Sequence, residues 1–376
     1  MKILIVGGGI GGLTLGRALR PLGHEIHIVE RASAFKPVGA GIVLAANAMR
    51  IMESFGLQDE LLARGRTVGV GYITTATGRV LSRADIGALR DRHGPAVAIH
   101  RGALHEVLVN ANSENRLLTG TEPESIEADE SGLRVRLSNG EESRYDVVVG
   151  ADGIRSYVRD ALFPRVVPRY SGYTCWRFML DSDLGIDATY EMWGRGRRFG
   201  IVPVGDSKLY CFSTLNAPEA DPKFAHLSLD EYREVFSDFR GHVPDILDAL
   251  EDASQLIHGD LSQVYVPAWQ SGRSVLLGDA AHAMTPNLGQ GACMAIEDAA
   301  VLAEELGRSA EPAEAFAGYE TRRRKRVDAI QRQSWNVGRI GQMESMAART
   351  LRNTAVRLLP DSVALRQLER TVGASF

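Results

Sequence analysis

The stretch KILIVGGGIGGLTLGRALRPLGHEIHIVE, residues 2–30, decides the fold. Lys2 to Val6 form an apolar run typical of a buried parallel strand, and Ile10 to Leu22 continue with apolar residues at helical spacing. Glu25 to Val29 predict a second strand, which ends on Glu30. Strand, glycine turn, helix and strand in this order predict an α/β fold with a parallel sheet.

The turn between the first strand and the helix matches G-x-G-x-x-G at Gly7, Gly9 and Gly12. In this pattern the first glycine allows a tight turn, the second lets a pyrophosphate approach the backbone, and the third lets helix and strand pack closely. Glu30, eighteen residues after Gly12, is placed to accept hydrogen bonds from a ribose. Its negative charge disfavours a 2′-phosphate there, so the turn predicts the adenosine half of FAD or NAD.

Composition excludes several classes of function. The net charge of −4 gives no electrostatic reason to expect a nucleic-acid partner. The three cysteines have no paired spacing, the nine histidines show no metal-ligand spacing, and no 18-residue apolar run predicts an integral membrane segment. The glycine cluster near the first residue argues against a signal peptide, so we expect a cytoplasmic protein. From the histidine spacing we expect no metal site.

The middle of the chain changes character. Most aromatic residues fall between about 166 and 262 on strand-like runs, and the strand–turn–helix pattern returns with SVLLGDAAHA, residues 274–283. The sequence therefore predicts a discontinuous α/β domain of residues 1–70, 97–165 and 263–342, a β-sheet domain of residues 71–96 and 166–262, and a C-terminal helix in residues 343–376.

Local patterns give four finer predictions. Ala46 to Arg64 predict one helix, and Met343 to Glu369 predict another. Asn139-Gly140 predicts a hairpin turn whose second arm is Asp146 to Val149. The basic run from Arg322 to Arg326 is typical of a solvated helix face, with a surface for an anion or an acidic membrane as the alternative.

A second glycine-rich turn lies in GDAAHAMTPNLGQGACMAIEDA, residues 278–299. It follows an apolar strand and leads into a helix that begins near Leu288 to Gly291. The N-terminus of a helix offers free N–H groups and the positive end of a dipole, and glycine allows a ligand to approach closely. We expect this turn and the first one to hold opposite ends of one extended cofactor.

Three motifs in this order carry a resemblance. They are Gly7-x-Gly9-x-x-Gly12 with Glu30, Asp152-Gly153-Ile154-Arg155-Ser156 with Arg159, and Gly278-Asp279-Ala280-Ala281-His282 through Pro286. Over nearly the whole chain the sequence resembles the single-component FAD-dependent aromatic hydroxylases related to p-hydroxybenzoate hydroxylase. The PVGAGI segment, residues 37–42, looks closest to the compact salicylate, 3-hydroxybenzoate and urate hydroxylase-like members.

That resemblance implies a Rossmann-like FAD domain of the glutathione-reductase type, interrupted by a β-sheet substrate domain and followed by C-terminal helices. It implies that NADH or NADPH reduces FAD, and that O₂ reacts through a flavin C4a-hydroperoxide to hydroxylate an aromatic or heteroaromatic small molecule. No motif distinguishes NADH from NADPH or predicts the oligomeric state. The implied FAD residues are Gly7, Gly9, Gly12, Glu30, Arg31, Gly41, Arg101, Asp152, Asp279, Pro286, Gly289 and Gly291.

The predicted substrate residues are Arg198, Tyr210 and Asn287. Arg198 and Tyr210 resemble substrate-binding positions of the urate hydroxylase-like members, although a surface charge and a sheet aromatic are the alternatives. Asn287 stands where those members have an acid, and an amide is a poor base, which puts urate in doubt. Four further side chains favour an apolar aromatic or heteroaromatic ring over a small polar one: Trp176, Trp193, Phe199 and Phe212. An ordinary core residue is the alternative for Trp193.

Other functions stay open at this level. An enzyme of the same fold could epoxidise or oxidatively rearrange a prenylated or polyketide ring. A flavin reductase or a halogenase is a further alternative, although the halogenase W-x-W-x-I-P motif is absent. A non-catalytic dinucleotide-binding protein is the alternative from another class.

Overall fold

The computed structural model of the chain describes residues 1–34, 40–129 and 132–374. The strands are β1 (Lys2–Val6), β2 (Glu25–Glu30), β3 (Gly41–Leu44), β4 (Arg66–Thr67), β5 (Val70–Thr75), β6 (Val80–Asp85), β7 (Val97–His100), β8 (Arg116–Thr119), β9 (Pro123–Asp129), β10 (Gly132–Leu137), β11 (Glu142–Tyr145), β12 (Val147–Gly150), β13 (Arg169–Leu180), β14 (Thr189–Trp193), β15 (Arg197–Val204), β16 (Lys208–Asn216), β17 (Ile257–Gln263), β18 (Gln270–Ser271) and β19 (Ser274–Leu276). The α-helices are α1 (Ile10–Leu19), α2 (Ala46–Ser54), α3 (Gln58–Arg64), α4 (Arg90–His93), α5 (Arg101–Asn110), α6 (Tyr157–Leu162), α7 (Pro222–Ala225), α8 (Leu229–Val235), α9 (Val243–Asp248), α10 (Asp279–His282), α11 (Gly291–Arg308), α12 (Pro312–Gly341), α13 (Met346–Leu358) and α14 (Asp361–Val372).

A six-stranded sheet in the order β18-β19-β12-β1-β2-β8 holds the opening βαβ unit. Strand β1 pairs in parallel with β12 and with β2, and β12 pairs in parallel with β19. Parallel strands end at the same edge of a sheet. The first glycine turn, the Asp152 motif and the Gly278 motif, which follow β1, β12 and β19, therefore emerge side by side.

Helix α1 packs against α11, so the two glycine-rich turns are neighbours. A Cβ atom added to Gly11 of α1 would lie 2.7 Å from the Leu277 side chain and 3.3 Å from that of Ala295. Glycine permits this close approach because it has no side chain. The two distant turns therefore lie on the same side of the sheet, as one cofactor held by both requires, and their hold on it stays a prediction.

A seven-stranded sheet in the order β17-β13-β16-β15-β14-β5-β6 joins the segment 70–85 to the middle of the chain. All its pairs are antiparallel except that between β14 and β5. Its outer face packs on α8 and α9, and its inner face packs on the small sheet β3-β7-β4. This architecture confirms the predicted α/β fold class with an inserted β-rich part, while the domain boundaries stay a prediction.

Two of the predicted helices are each broken in two. The pattern over Ala46 to Arg64 forms α2 and α3, because Gly56 between them adopts a left-handed φ of 73°. The pattern over Met343 to Glu369 forms α13 and α14, because Pro360 lacks the N–H that a continuous helix needs. The single C-terminal helix was therefore a wrong prediction.

The hairpin turn at Asn139-Gly140 is confirmed, with β10 antiparallel to a second arm. That arm is Glu142–Tyr145 and not the predicted Asp146 to Val149. The apolar run that follows instead forms β12 of the parallel sheet, where it is buried on both faces. Continuous burial explains why β12 lacks the alternation of a hairpin arm.

None of the described helices combines the length and the apolar character that crossing a lipid bilayer requires.

Candidate active site

The three glycines of the first turn have separate structural reasons. Gly7 has a φ of 111°, and a Cβ atom added there would lie 2.3 Å from the Ala151 carbonyl oxygen. A Cβ atom at Gly12 would lie 2.1 Å from the Gly7 carbonyl oxygen. At Gly9, the N-cap of α1, an added Cβ atom would meet nothing within 4 Å. Gly7 and Gly12 are therefore needed for packing, whereas Gly9 borders space beside a helix N-terminus, where a pyrophosphate fits.

Glu30 lies at the end of β2 beside this turn. Its Oε2 atom accepts a hydrogen bond from the Gly8 N–H at 2.9 Å, and its Oε1 atom accepts one from the Ala32 N–H at 2.9 Å. Each carboxylate oxygen keeps a second acceptor site, so ribose hydroxyls can donate hydrogen bonds here. The neighbouring Arg31 is exposed at the same edge of the sheet.

The second turn begins at Gly278, whose φ is 58°, and continues into α10. The Asp279 side chain is accessible to solvent, but protein atoms surround it on most sides. The loss of hydration raises the pKa of its carboxyl, and the charges of His282 and Arg101 partly oppose that rise. Arg101 is the exposed first residue of α5. An accessible carboxylate in such surroundings lines a crevice, and Arg101 lies near enough to act on it.

The segment before α11 leaves further room for a ligand. Pro286 starts a 3₁₀ turn that ends at Gly289 with a left-handed φ of 62°, and α11 begins at Gly291, as predicted. A Cβ atom added to Gly289 meets nothing within 4 Å, and one added to Gly291 meets only the Met284 side chain at 3.9 Å. The positive end of this 18-residue helix thus borders open space, which suits the negative charge of a reduced flavin.

The Asp152 motif joins these two turns. Asp152 accepts hydrogen bonds from the Ser156 hydroxyl at 2.5 Å and from the Val158 N–H at 3.1 Å, and burial raises the pKa of its carboxyl. Buried Arg159 donates to the Ala280 carbonyl oxygen at 3.1 Å. The motif therefore fixes its own loop against the second turn, and a direct contact of Asp152 with a nucleotide stays a prediction.

A buried ion network lies behind the second turn. Asp298 of α11 accepts hydrogen bonds from the Gly278 N–H at 3.1 Å, from His282 Nε2 at 2.6 Å and from Arg323 Nε at 2.8 Å. Although burial raises it, the charges and hydrogen bonds of His282 and Arg323 hold the pKa of Asp298 down to about 2. Arg323 also donates to Glu297 at 2.5 Å, and the side chains of Glu297, Asp298 and Arg323 are all fully buried. The predicted solvated face was therefore wrong for Arg323.

The inner face of the seven-stranded sheet carries a row of half-buried side chains. Across β13 and β16, Arg177 stands opposite Phe212, and Met179 stands opposite Tyr210. The Nε atom of Arg177 is buried without a hydrogen-bond partner among the described residues. Burial raises the pKa of Tyr210 well above its ordinary value, so its hydroxyl stays protonated. We call these four residues the inner row.

Gly41 links the inner row to the small sheet. A Cβ atom added to Gly41 would lie 2.4 Å from the Tyr210 Cβ atom, so the strand β3 lies directly against this tyrosine. Of the PVGAGI segment, residues 37–39 lie outside the described residues, whereas Gly41 and Ile42 belong to β3.

Arg198 and Asn287 lie together at one end of the inner face. Arg198 is 2% exposed and donates to Asn287 Oδ1 at 2.6 Å, to Glu191 at 3.0 Å and to Gln342 at 3.2 Å. Asn287 donates to the Tyr173 hydroxyl at 2.9 Å. Burial and pairing exclude the surface-charge alternative for Arg198.

Tyr210 is not part of that cluster. Its partner across β15 is Val202, whereas Arg198 pairs with Thr214, four residues away along the strands. At about 3.3 Å per residue this places Tyr210 roughly 13 Å from Arg198, with Phe212 between them on the same face. The inner face therefore carries the polar cluster of Arg198 and Asn287 at one end and Tyr210 at the other.

Two of the four aromatic side chains used to predict the substrate lie elsewhere. Trp176 and Phe199 point to the outer face, where they pack in the core under α8 and α9. Trp193 lies under the Arg352 guanidinium, 4.9 Å from its carbon to the ring centre. Successive residues of a strand alternate between faces, and residues paired across strands share a face. Phe212 and Trp193 therefore face the inner side: Trp193 stands opposite Arg198 across β14 and β15, and its Nε1 atom donates to Glu191 at 2.9 Å.

Sequence reasoning missed several residues of this face. They are Tyr173, Arg177, Met179, Glu191 and Gln342. Period-two alternation along β13 was the available signal, because Tyr173, Arg177 and Met179 are separated by even numbers of residues.

Comparison with known proteins places this geometry in a family. The chain matches the FAD binding domain family over residues 1–334. It is 40% identical over 363 residues to the aurachin C monooxygenase/isomerase of Stigmatella aurantiaca, covering 96% of this chain and 94% of that protein. It is 38% identical over 373 residues to the 2-heptyl-3-hydroxy-4(1H)-quinolone synthase of Pseudomonas aeruginosa, covering 98% and 97%.

The fold agrees with this match. Klebsiella pneumoniae HpxO complexed with FAD and uric acid superimposes with a TM-score of 0.90 at 24% identity, over 99% of this chain and 96% of that one. The family match spans all three motifs and both glycine-rich turns, so the predicted resemblance is confirmed. The chain belongs to the FAD binding domain family of aromatic hydroxylases and is an FAD-dependent monooxygenase that uses NAD(P)H.

Proposed function

We propose that the enzyme transfers one oxygen atom to C3 of a 4-quinolone ring that carries an apolar chain at C2. The name of one relative specifies a quinolone with a heptyl group at C2 and a hydroxyl at C3, and that relative is 38% identical over nearly the whole chain. In a 4-quinolone the ring nitrogen donates electron density through the C2–C3 double bond. C3 is therefore the nucleophilic carbon that an electrophilic oxygen attacks.

The observation that carries this proposal is the inner row. Arg177 has a buried Nε without a partner, and it stands directly opposite Phe212. A 4-oxo group accepts a hydrogen bond from a guanidinium, and a bicyclic ring packs on a phenylalanine. Met179, beside the buried apolar residues Val202 and Val204, offers an apolar surface for the chain at C2.

The polar cluster at the other end restricts the substrate further. All three nitrogen atoms of Arg198 already donate to protein oxygens, and Asn287 is held by Tyr173. A purine has polar atoms around its whole edge, and this cluster leaves few free partners for them. An apolar bicyclic ring with one oxo group needs fewer hydrogen-bonding partners.

The residues at the two turns fit FAD, and we assign them as follows. The backbone beside Gly9 and the N-terminus of α1 hold the pyrophosphate, and Glu30 holds the adenosine ribose. Asp279 and Arg101 border the ribityl region, and the N–H groups from Gly289 to Gly291 face the flavin ring. FAD supplies hydride acceptance from NAD(P)H and activation of O₂. The protein excludes water and orients the substrate.

A substrate screen with product analysis tests the proposal. The holoenzyme is incubated with NADH or NADPH and with 2-heptyl-4-quinolone, 4-quinolone, salicylate, 6-hydroxynicotinate or urate, under ¹⁸O₂. We expect one labelled oxygen in the alkylquinolone product, and higher kcat/KM than for the ring without a chain. Peroxide is measured in parallel because uncoupled oxidase turnover also consumes NAD(P)H. Efficient labelling of urate or salicylate, with none of either quinolone, would contradict the proposal.

A second candidate function is an oxidative rearrangement. It is favoured by the 40% identity to a protein named as both a monooxygenase and an isomerase. The same labelled product decides between the two. Hydroxylation leaves the chain on C2, whereas rearrangement moves a chain to a neighbouring ring carbon, which ¹³C NMR of the product detects.

We also propose a cytoplasmic location. The three cysteines, Cys175, Cys211 and Cys293, are free and buried, as in proteins of a reducing compartment. Cell fractionation with an antibody to the chain tests this, and recovery with periplasmic or secreted markers would contradict it.

A further inference from the structure

Large apolar side chains are exposed on the two C-terminal helices. We call Met346, Leu351, Leu358, Leu359 and Val363 the C-terminal ridge. Three of them are more than 70% exposed: Met346, Leu351 and Leu358. Among the described residues, five of the thirteen exposed large apolar side chains fall in these 18 positions. Such clustering marks an interaction surface rather than the scatter of a normal exterior.

Helix α13 points its apolar side outward. Ala347, Leu351, Ala355 and Leu358 follow helical spacing on one face, and all are exposed. Arg352, on the opposite side, is buried against Trp193 and donates to the Gly341 carbonyl oxygen at 3.0 Å. A surface helix of a globular protein has the reverse arrangement. The outward face of α13 therefore lacks a partner among the residues that the structure describes.

A basic groove of about 800 Å³ lies between α12 and α14 next to the ridge. Val363 belongs to the ridge and lines the groove, which makes the two surfaces continuous. Its charged lining residues are all cationic: Arg322, Lys325, Arg326, Arg366 and Arg370. Arg322 and Arg326 pair with glutamates, whereas Lys325, Arg366 and Arg370 have no carboxylate within 4 Å among the described residues.

The charge of this end of the chain differs from that of the rest. Residues 346–374 contain five arginines and two acids, although the whole chain has a net charge of −4. Of the two acids, Glu369 pairs with Arg92, and Asp361 accepts a hydrogen bond from the backbone N–H of Arg83. Five arginines against two acids leave this segment with a net charge of +3, so the charge at the ridge and the groove is positive.

We propose that the C-terminal ridge and the basic groove dock on the surface of an anionic lipid bilayer. Apolar side chains enter the boundary between headgroups and acyl chains, and the groove receives lipid phosphates, as in amphipathic helices that lie in an interface. A second copy of the chain fits less well. A two-fold contact through the ridge sets Arg357, Arg366 and Arg370 near the same cations of the other copy.

This surface is connected to the active site. Gly341 accepts a hydrogen bond from Arg352 of α13, and a Cβ atom added to Gly341 would lie 2.7 Å from Arg198. Gly341 alone thus separates α13, the helix that docks, from Arg198 in the polar cluster of the inner face. If the substrate carries an apolar chain, which rests on the proposed function, the enzyme takes it from the bilayer in which it dissolves.

Vesicle flotation of the FAD-loaded enzyme tests the docking without any substrate. Vesicles of phosphatidylcholine mixed with phosphatidylglycerol are compared with phosphatidylcholine alone, at low and at high salt. We expect binding to the mixed vesicles that salt weakens. The variant with Leu351→Ser and Leu358→Ser should lose binding. Arg366→Gln with Arg370→Gln should weaken it by roughly five-fold per charge removed.

Val167→Ser is the matched control, because Val167 is also 73% exposed but lies outside the ridge. It should bind as the parent does, and flavin absorbance and thermal unfolding verify that each variant is folded. Absence of flotation, or flotation unchanged in the leucine variant, would overturn the proposal. Sedimentation equilibrium showing a dimer that the leucine variant abolishes would assign the ridge to a second copy. Neither readout depends on turnover, so failure of the quinolone assignment is a separate result.

Discussion

Replacing Gly9 by alanine should weaken FAD binding strongly while leaving the apo-protein folded. The backbone at Gly9 has φ −78° and ψ −176°, which alanine adopts without strain, and an added Cβ atom has no neighbour within 4 Å. The cost to folding is that of replacing glycine by alanine at an N-cap, about 1 kcal/mol or less. The methyl group, however, occupies the space assigned to the pyrophosphate.

The expected loss of affinity follows from the hydrogen bonds that a displaced pyrophosphate gives up. A hydrogen bond to a charged group contributes about 1.5–3 kcal/mol, so losing a single one already costs about 1.5–3 kcal/mol of binding. That weakens FAD binding at least roughly 10- to 150-fold, since 1.36 kcal/mol is tenfold. FAD is removed from the purified protein and titrated back while flavin fluorescence is followed, and apo-protein stability is measured by circular dichroism.

Two companion variants separate this effect from damage to the fold. Gly12→Ala places a Cβ atom 2.1 Å from a backbone oxygen, which cannot move aside, so the protein should misfold or unfold at much lower denaturant. Gly9→Ser supplies a good N-cap and should still lose FAD. Parent-like FAD affinity in both Gly9 variants would refute the assignment of the pyrophosphate to this turn. If Gly9→Ala destabilises the protein as much as Gly12→Ala does, the space beside Gly9 is not open.

Arg323→Met should lower the free energy of unfolding by about 3–5 kcal/mol, because it leaves Glu297 and Asp298 buried with fewer partners; urea unfolding within 1 kcal/mol of the parent would argue against the network. Asp298, with its pKa held near 2 instead of 3.8, stabilises the fold above pH 4 and loses that contribution as pH falls from 4 to 2. The change is on the order of 2 kcal/mol, and Asp298→Asn should flatten this part of the stability–pH curve. Arg177→Met should raise KM for an alkylquinolone about ten- to 100-fold with FAD affinity unchanged, in steady-state kinetics; an unchanged KM would remove Arg177 from substrate recognition.

The first turn could be predicted from sequence because its chemistry is local. The requirement for glycine at Gly7 and Gly12 arises from backbone atoms within the same βαβ unit or its neighbour strand, and fixed spacing expresses it. The start of α11 was predicted for the same reason, since Pro286 and the two following glycines mark a helix N-terminus by themselves.

The inner face could not be predicted in this way. Alternation along β13 separates Trp176 from Arg177, but it does not say which set meets α8 and which meets the small sheet. That choice depends on packing between segments far apart in sequence. Arg323 shows the same limit for charge: its partners lie 25 and 26 residues away on another helix, so the basic run around it gave no sign of burial.

The buried charges behind the second turn have a positional explanation. Replacing a buried ion pair with apolar residues is often neutral or stabilising, so stability alone does not account for Glu297, Asp298 and Arg323. Their contacts do: Asp298 belongs to α11, yet it accepts the Gly278 N–H of the turn and the His282 ring beyond it. One carboxylate thus ties the turn that carries Asp279 to the helix whose N-terminus borders the open space. Apolar packing would hold these elements together without fixing the direction of either, whereas directed hydrogen bonds fix both relative to the cofactor.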